Sequence, residues 1–305
     1  MNRRPLALTT LLILGTAAAI AGATTITSET TAFGHHIAAA PSRGATTQAA
    51  VVPAPAAKTP QSQGAPDESS AAGPSSPTAV PTDLPSLRPA PGTTGIAPVT
   101  DESSRVGALY SGSGPSGNHF CTASVLHSGS RNLLLTAAHC ASSTDNLYFA
   151  PGYRNGQSPF GTWQVTKLYQ TTGWTQNGNQ DEDFAILQVA QINGRSIEDV
   201  VGANNLGLNV DFGAQVRLYG YPANTEAPIL CTNDTTRQND HQRRIDCPAF
   251  PGGTSGGPWI DTDTSQVIGV IGGYQQGGDT DDISYSATFE KTIGDLYQQA
   301  VADNT

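Results

Sequence analysis

Ten of the chain's 21 prolines fall between Pro53 and Pro91, and they limit where folding can occur. Pro53, Pro55, Pro60, Pro66, Pro74, Pro77, Pro81, Pro85, Pro89 and Pro91 each fix φ and remove a backbone donor. Such a stretch enters neither a helix interior nor a central strand. It is expected to be extended, solvated and partly polyproline-like. Through residue 104 the chain is rich in Ala, Pro, Ser and Thr, nearly free of aromatics, and without apolar periodicity. From Arg105 onward the aromatics, glycines and branched apolar residues of a packed domain begin. The roughly 200 residues that remain are enough to bury a sizeable core.

The N-terminus carries an export signature. Asn2-Arg3-Arg4 is a short positive region, Leu6 to Ile20 is a small-to-apolar run, and Ala21-Gly22-Ala23 has the small-x-small form that signal peptidase accepts. The expected organisation is a signal peptide over 1–23, a Pro/Ala/Ser/Thr-rich propeptide or linker over 24–104, and a folded domain over 105–305. No second apolar segment follows, so no stable membrane span is expected after cleavage. The destination is the extracellular space. A monomer is the default state. The net charge of −10, with Lys58, Lys167 and Lys291 the only lysines, leaves no basic patch for nucleic acid.

Export to an oxidising compartment favours disulfides among Cys121, Cys140, Cys231 and Cys247. Four cysteines allow three pairings. Joining neighbours would close two loops of fewer than about 20 residues, each contributing about 3 kcal/mol on loop-closure entropy. No pair has the short C-x-x-C spacing of a zinc ribbon, and no metal or other cofactor is expected. The acidic loops at Asp261-Thr-Asp263 and Asp279 to Asp282 match no defined calcium loop.

The domain reads as short strands separated by Gly, Asn, Ser and Asp clusters. Strand-like segments are Val106–Tyr110, Phe120–Leu126, Leu133–Thr136, Gly161–Tyr169, Phe184–Val189, Gln215–Tyr219 and Val267–Ile271. Only Phe289–Val301 has helical spacing, with Ile293, Leu296, Tyr297 and Ala300 on one face. The class is all-β, a sandwich or barrel with a terminal helix.

Three segments carry chemistry. In Leu133-Leu-Leu-Thr-Ala-Ala-His-Cys140 an apolar strand delivers a histidine into a turn that Cys140 can pin, a fixed placement that suits a general base. In Asp181-Glu-Asp183-Phe-Ala-Ile-Leu187, Asp183 directly precedes an apolar strand and can orient an imidazole. Asp181 and Glu182 read as solvated turn charges. In Pro251-Gly-Gly-Thr-Ser-Gly-Gly-Pro258 a tight loop presents Ser255, with the Gly253 and Ser255 N–H groups as candidate oxyanion donors.

T-A-A-H-C, D-F-A-I-L and G-T-S-G-G-P, in this order, resemble the trypsin/chymotrypsin-like serine peptidases, nearest the bacterial secreted branch that includes glutamyl endopeptidases. His119-Phe-Cys-Thr-Ala-Ser124 is similar to that family's first cysteine strand, whose cysteine pairs with the one after the histidine. The resemblance covers residues 105–305. It implies two antiparallel β-barrels with a C-terminal helix and a catalytic triad of His139, Asp183 and Ser255. The implied activity is serine endopeptidase hydrolysis of a protein or peptide substrate through an acyl-enzyme.

Thr254 stands where zymogen-activated trypsins carry aspartate, which argues against activation by a new N-terminus; Val106 reads instead as the first barrel strand. By alignment Ala249 falls at the floor of the primary pocket, with Phe250 and Tyr274 on its walls. No histidine occupies Ile271 or Gly272, where glutamyl enzymes place one. The expected pocket is neutral and takes small or apolar residues. Two rival functions remain: a catalytically inactive relative secreted as a binding protein, and an esterase using the same triad. Gly253-Thr-Ser-Gly-Gly257 fits the Gly-x-Ser-x-Gly of α/β-hydrolases, but that fold orders its triad Ser, Asp, His, not His, Asp, Ser.

Overall fold

The computed structural model describes residues 92–303. The expected signal peptide and the proline-rich stretch through Pro91 lie outside the described residues.

Six strands form a closed antiparallel barrel: β2 (Val106–Ser111), β3 (His119–Leu126), β4 (Leu133–Thr136), β5 (Leu147–Pro151), β6 (Trp163–Tyr169) and β7 (Ala185–Val189), in the order β2-β3-β4-β7-β6-β5. β4 is buried throughout and β7 all but Gln188, so both read as continuous apolar runs without alternation. Their pairing sets Thr136 opposite Ala185, which brings the chain just after β4 beside the chain just before β7.

The second half is a curled sheet built from β8 (Asn205–Leu206), β9 (Gln215–Gly220), β10 (Ile229–Asn239), β11 (Gln242–Asp246), β12 (Pro258–Asp261), β13 (Gln266–Val270) and β14 (Ile283–Ala287). Their order is β14-β11-β10-β9-β12-β13-β8, with β1 (Thr94–Ile96) added alongside β10. All pairs are antiparallel except β13 with β8. β13 and β14 meet where Val270 N–H donates to Ser286 Oγ at 3.0 Å and Gly272 N–H to Tyr285 O at 3.0 Å. Only the first half closes by strand pairing; the second curls until β14 meets β13.

Three short helices, α1 (Asp101–Ser104), α2 (Thr172–Asn177) and α3 (Ile197–Val201), precede the terminal α4 (Lys291–Ala302). α4 buries Ile293, Leu296 and Ala300, the face expected from spacing, and Phe289 meets Phe184 edge-on at 5.9 Å. Among the described residues no helix is long and apolar enough to cross a membrane. A seam of aromatic and small residues joins the halves: Ala108, Tyr110 and Tyr153 from the barrel pack with Tyr219, Tyr221 and Leu230.

The packed region extends upstream of the boundary expected at Arg105. Gly92 N–H donates to Thr232 O at 2.7 Å, and Thr94 pairs with Cys231. Glu102 in α1 accepts from Arg217 Nε and Nη2 at 2.7 and 2.8 Å and from Tyr219 OH at 2.7 Å. Composition placed this segment with the linker because its anchors are the Glu102–Arg217 ion pair, scattered backbone and side-chain bonds and a single core alanine, Ala97, which leave no apolar run. Val106 is fully buried in β2, paired with both β3 and β5, as expected of a first barrel strand.

Candidate active site

The site lies where the two halves meet. β4 ends at Thr136 and gives way to a single 3₁₀ turn, Ala138–Cys140, that carries His139. Two constraints hold the turn. Cys140 is bonded to Cys121 of β3, and Gln170 Nε2 donates to Ala138 O at 2.8 Å and to Ala141 O at 2.9 Å. The other bridge joins Cys231 to Cys247, so the neighbour pairing is the one present.

Asp183 ends the turn before β7 and is fully buried. Burying a carboxylate is costly unless its oxygens are satisfied. Here His139 N–H donates to Oδ1 at 2.9 Å, while His139 Nδ1 at 2.7 Å and Gly273 N–H at 2.8 Å reach Oδ2. A carboxylate facing Nδ1 assigns the ring proton to that nitrogen and leaves the Nε2 lone pair free to accept a proton. The side chain of His139 is 14% exposed, enough to meet a ligand from the cleft.

Ser255 is half-buried on the loop after Pro251. Gly252 O accepts from Ala223 N–H at 2.9 Å, and Thr254 O accepts from Gly257 N–H at 2.9 Å. In a trans peptide the N–H opposes the C=O, so these bonds aim the Gly253 and Ser255 N–H groups the other way. Neither N–H has a partner among the described residues. Gly253 is required here: its φ is +99°, and a Cβ would stand 2.3 Å from Ala223 N. Ser255 Oγ makes no hydrogen bond among the described residues, to His139 or elsewhere. Such bonds are often long without substrate and tighten in the reacting complex.

The other expected site residues fall as follows. Ala249 is exposed and holds a left-handed φ of 63°. Tyr274 is 36% exposed and meets Tyr285 edge-on at 5.0 Å. Phe250, expected on a pocket wall, is 5% exposed and belongs to the second-half core with Trp259 and Ile271. Thr254 is buried, its hydroxyl donating to Pro251 O at 2.7 Å. A cavity of about 690 Å³ opens beside His139, lined by Gln170, Trp174, Thr175, Gln176 and Gln276.

Sequence reasoning missed Gln242. It is buried in β11, donates to Gln180 O at 3.0 Å and Asp181 Oδ1 at 2.7 Å, and accepts from Tyr274 N–H at 3.1 Å. It ties the turn before Asp183 to the cleft wall. Asp181, read as a solvated charge, is therefore engaged. No local pattern marks Gln242, because its partners lie 62, 61 and 32 residues away.

Among the described residues, one group of potential metal donors converges: Cys121, His139 and Cys140. Both sulfurs are spent on the disulfide and His139 Nδ1 on Asp183, so this set does not fit a metal, which needs thiolates or free imidazole.

Comparison with known proteins agrees with this fold. An extracellular metalloprotease of Bacillus subtilis (strain 168) is 30% identical over 112 residues, 34% of this chain and 29% of that protein. The chain thus spans less than a third of that relative's length. The crystal structure of protease Anisep from Arthrobacter nicotinovorans superposes with TM-score 0.58 at 27% identity, covering 65% of this chain and 96% of that one. A Glu endopeptidase shares the fold at TM-score 0.55 and 19% identity, over 70% of this chain and 98% of that one. A family model described as the trypsin-like peptidase domain matches residues 117–270, a stretch that contains His139, Asp183 and Ser255. With half of its length matched and the fold in agreement, the chain belongs to the trypsin-like peptidase family.

Proposed function

We propose that this chain is a secreted serine endopeptidase in which Ser255, His139 and Asp183 form the catalytic triad. The observation that carries the reading is the bond of 2.7 Å between His139 Nδ1 and a fully buried Asp183 carboxylate, across the cleft from a serine loop with two unengaged N–H donors. Ser255 Oγ attacks the peptide carbonyl carbon and passes its proton to His139 Nε2. The oxyanion is received by the N–H groups of Gly253 and Ser255. His139 returns the proton to the leaving amine, and water repeats the sequence on the acyl-enzyme. Asp183 holds the ring and balances the imidazolium charge.

The primary pocket lies over Ala249 and beside Tyr274, and it takes small or apolar residues. In support, the floor residue is an alanine and the wall an aromatic ring. A peptide-library profile dominated by acidic or basic residues overturns this specificity. The leader over 1–23 directs export, and two disulfides suit an oxidising destination.

The test is labelling by a fluorophosphonate alongside casein hydrolysis, comparing wild type with Ser255→Ala and His139→Ala. Both signals are expected in wild type and lost in both folded variants. A folded, processed wild type that takes no label refutes the reading and returns the chain to the inactive binding protein. Label without proteolysis favours the esterase.

A further inference from the structure

Thr122 is fully buried in β3, one residue after Cys121, and none of the roles above uses it. Its four polar contacts converge on the reacting loops. The backbone N–H donates to Ser255 O at 2.7 Å. The hydroxyl donates to Gly253 O at 3.0 Å and accepts from Tyr221 N–H at 2.8 Å. The carbonyl accepts from Thr136 Oγ1 at 2.8 Å, and Thr136 lies three residues before His139.

One residue thus holds the carbonyl on each side of Thr254, Gly253 O by its hydroxyl and Ser255 O by its backbone N–H, in register with the strand that leads to the base. From this geometry we infer that Thr122 is a positioning residue, which fixes the oxyanion donors through the Gly253 and Ser255 carbonyls; the inference rests on the triad reading above. The physical reason lies at Gly253. A glycine at φ +99° has no side chain to resist rotation of its flanking peptides, so its conformation is set by what its neighbours bond. Three bonds act on it. Ala223 N–H holds the peptide before it, and the peptide after it is held by the Thr122 hydroxyl at its carbonyl and by Pro251 O, at 3.2 Å, at its N–H. Ala223 lies two residues after Tyr221, and Thr122 accepts from the latter, so the hydroxyl ties the Ala223 bond as well as its own to β3.

Without the hydroxyl, Gly253 O and Tyr221 N–H are left buried and unpaired, and that cost is relieved by turning the Gly253 peptides. The turn swings an oxyanion donor away from where charge develops. Losing a donor outright lowers kcat by about 10²–10³. Loosening one is expected to lower it by about 10–100-fold with KM changed less than about threefold, because the donor acts on the transition state and not on the bound substrate.

The experiment compares wild type with Thr122→Val, which keeps the β-branched shape, and with Thr122→Ser, which keeps the hydroxyl. Thr122→Ala serves the same purpose if valine is not accommodated. Steady-state kcat and KM are measured with a peptide ester, and affinity with a peptide aldehyde whose hemiacetal oxygen occupies the oxyanion site. The expected result is a loss in kcat and in aldehyde affinity by similar factors for Val, with most of both restored by Ser. Serine as impaired as valine shows that keeping the hydroxyl does not preserve the site and overturns the inference. So does a folded Val or Ala variant with kcat within about twofold of wild type. Fluorophosphonate labelling of wild type separates the two failures: an unlabelled wild type removes the triad reading itself, whereas a labelled one confines the failure to Thr122.

Discussion

Asp183→Asn separates the two services this carboxylate gives to His139. Asparagine offers one accepting oxygen and one donating NH₂ where aspartate offers two acceptors. With its oxygen in the Oδ2 place it keeps His139 Nδ1 and Gly273 N–H and sets the NH₂ against His139 N–H. The opposite orientation gives up two bonds instead of one, so the first is favoured by about 1 kcal/mol. The ring then keeps the proton on Nδ1, and what is lost is the negative charge beside the imidazolium. At an effective dielectric of about 20 and about 4 Å between charge centres, that charge is worth about 4 kcal/mol. Each 1.36 kcal/mol is about tenfold, so kcat is expected to fall by about 10³. Stability falls by about 1–3 kcal/mol for the donor left unpaired. The assay is kcat and KM on a peptide substrate, with thermal unfolding to show that the variant is folded. A loss near 10⁴ shows that the amide has turned and the ring has changed tautomer. A folded variant within about tenfold of wild type refutes the charge argument.

Other expected outcomes follow from elements away from the serine loop. Glu102→Ala leaves the Arg217 guanidinium, whose side chain is 9% exposed, without its carboxylate, and should cost about 3 kcal/mol or more in urea unfolding. A cost below about 1 kcal/mol shows that Tyr219 and water replace the pair. A chain that begins at Arg105 should be less stable than one that begins at Gly92, and equal melting curves sink the idea that residues 92–104 belong to the domain. Replacing Cys231 and Cys247 by serine opens a loop of 16 residues and should cost about 3 kcal/mol, read as a lower melting temperature that reductant does not lower further at that site. Burial raises the phenol pKa of both Tyr221 and Tyr110. The unfolded chain therefore ionises these groups first, and stability should fall as pH rises past about 10. Tyrosine ionisation that is complete near pH 10 in the folded protein contradicts this.

β4 and β7 were the most legible strands; the half-exposed β6 was also read, whereas the buried β5, β12 and β14 were not. Leu133–Thr136 and Ala185–Val189 are apolar along both faces, and α4 is long enough to show its period. β10 and β11 gave no such signal, because Asn233, Arg237, Gln242 and Arg243 belong to them. Arg243 is nevertheless buried. Its Nη1 donates to Asp211 O at 2.9 Å, its guanidinium lies 5.2 Å from the Phe212 ring, and burial lowers its pKa. An ionic side chain stabilised this way can be recognised only once its distant partners are placed. α1, α2 and α3 have 4, 6 and 5 residues, too few for a helical period to register. The site divides in the same way. His139, Asp183 and Ser255 each mark the end of a strand or a glycine turn and carry local signatures. Gln242 and Thr122 act through partners far along the chain and carry none.

The segment before Arg105 also bears on the order in which the molecule is completed. It is made early in synthesis, yet its anchors come late: Glu102 meets Arg217 across 115 positions, and Thr94 bonds Pro248 across 154. Thr122 meets Gly253 across 131. Contacts of such separation close last in folding, because the loop-closure entropy must be overcome before they form. A chain still emerging, or one truncated before the second half, holds the histidine turn but has neither the serine loop nor the partners that brace it. On the triad reading, a working site therefore exists only once both halves are made and closed on one another.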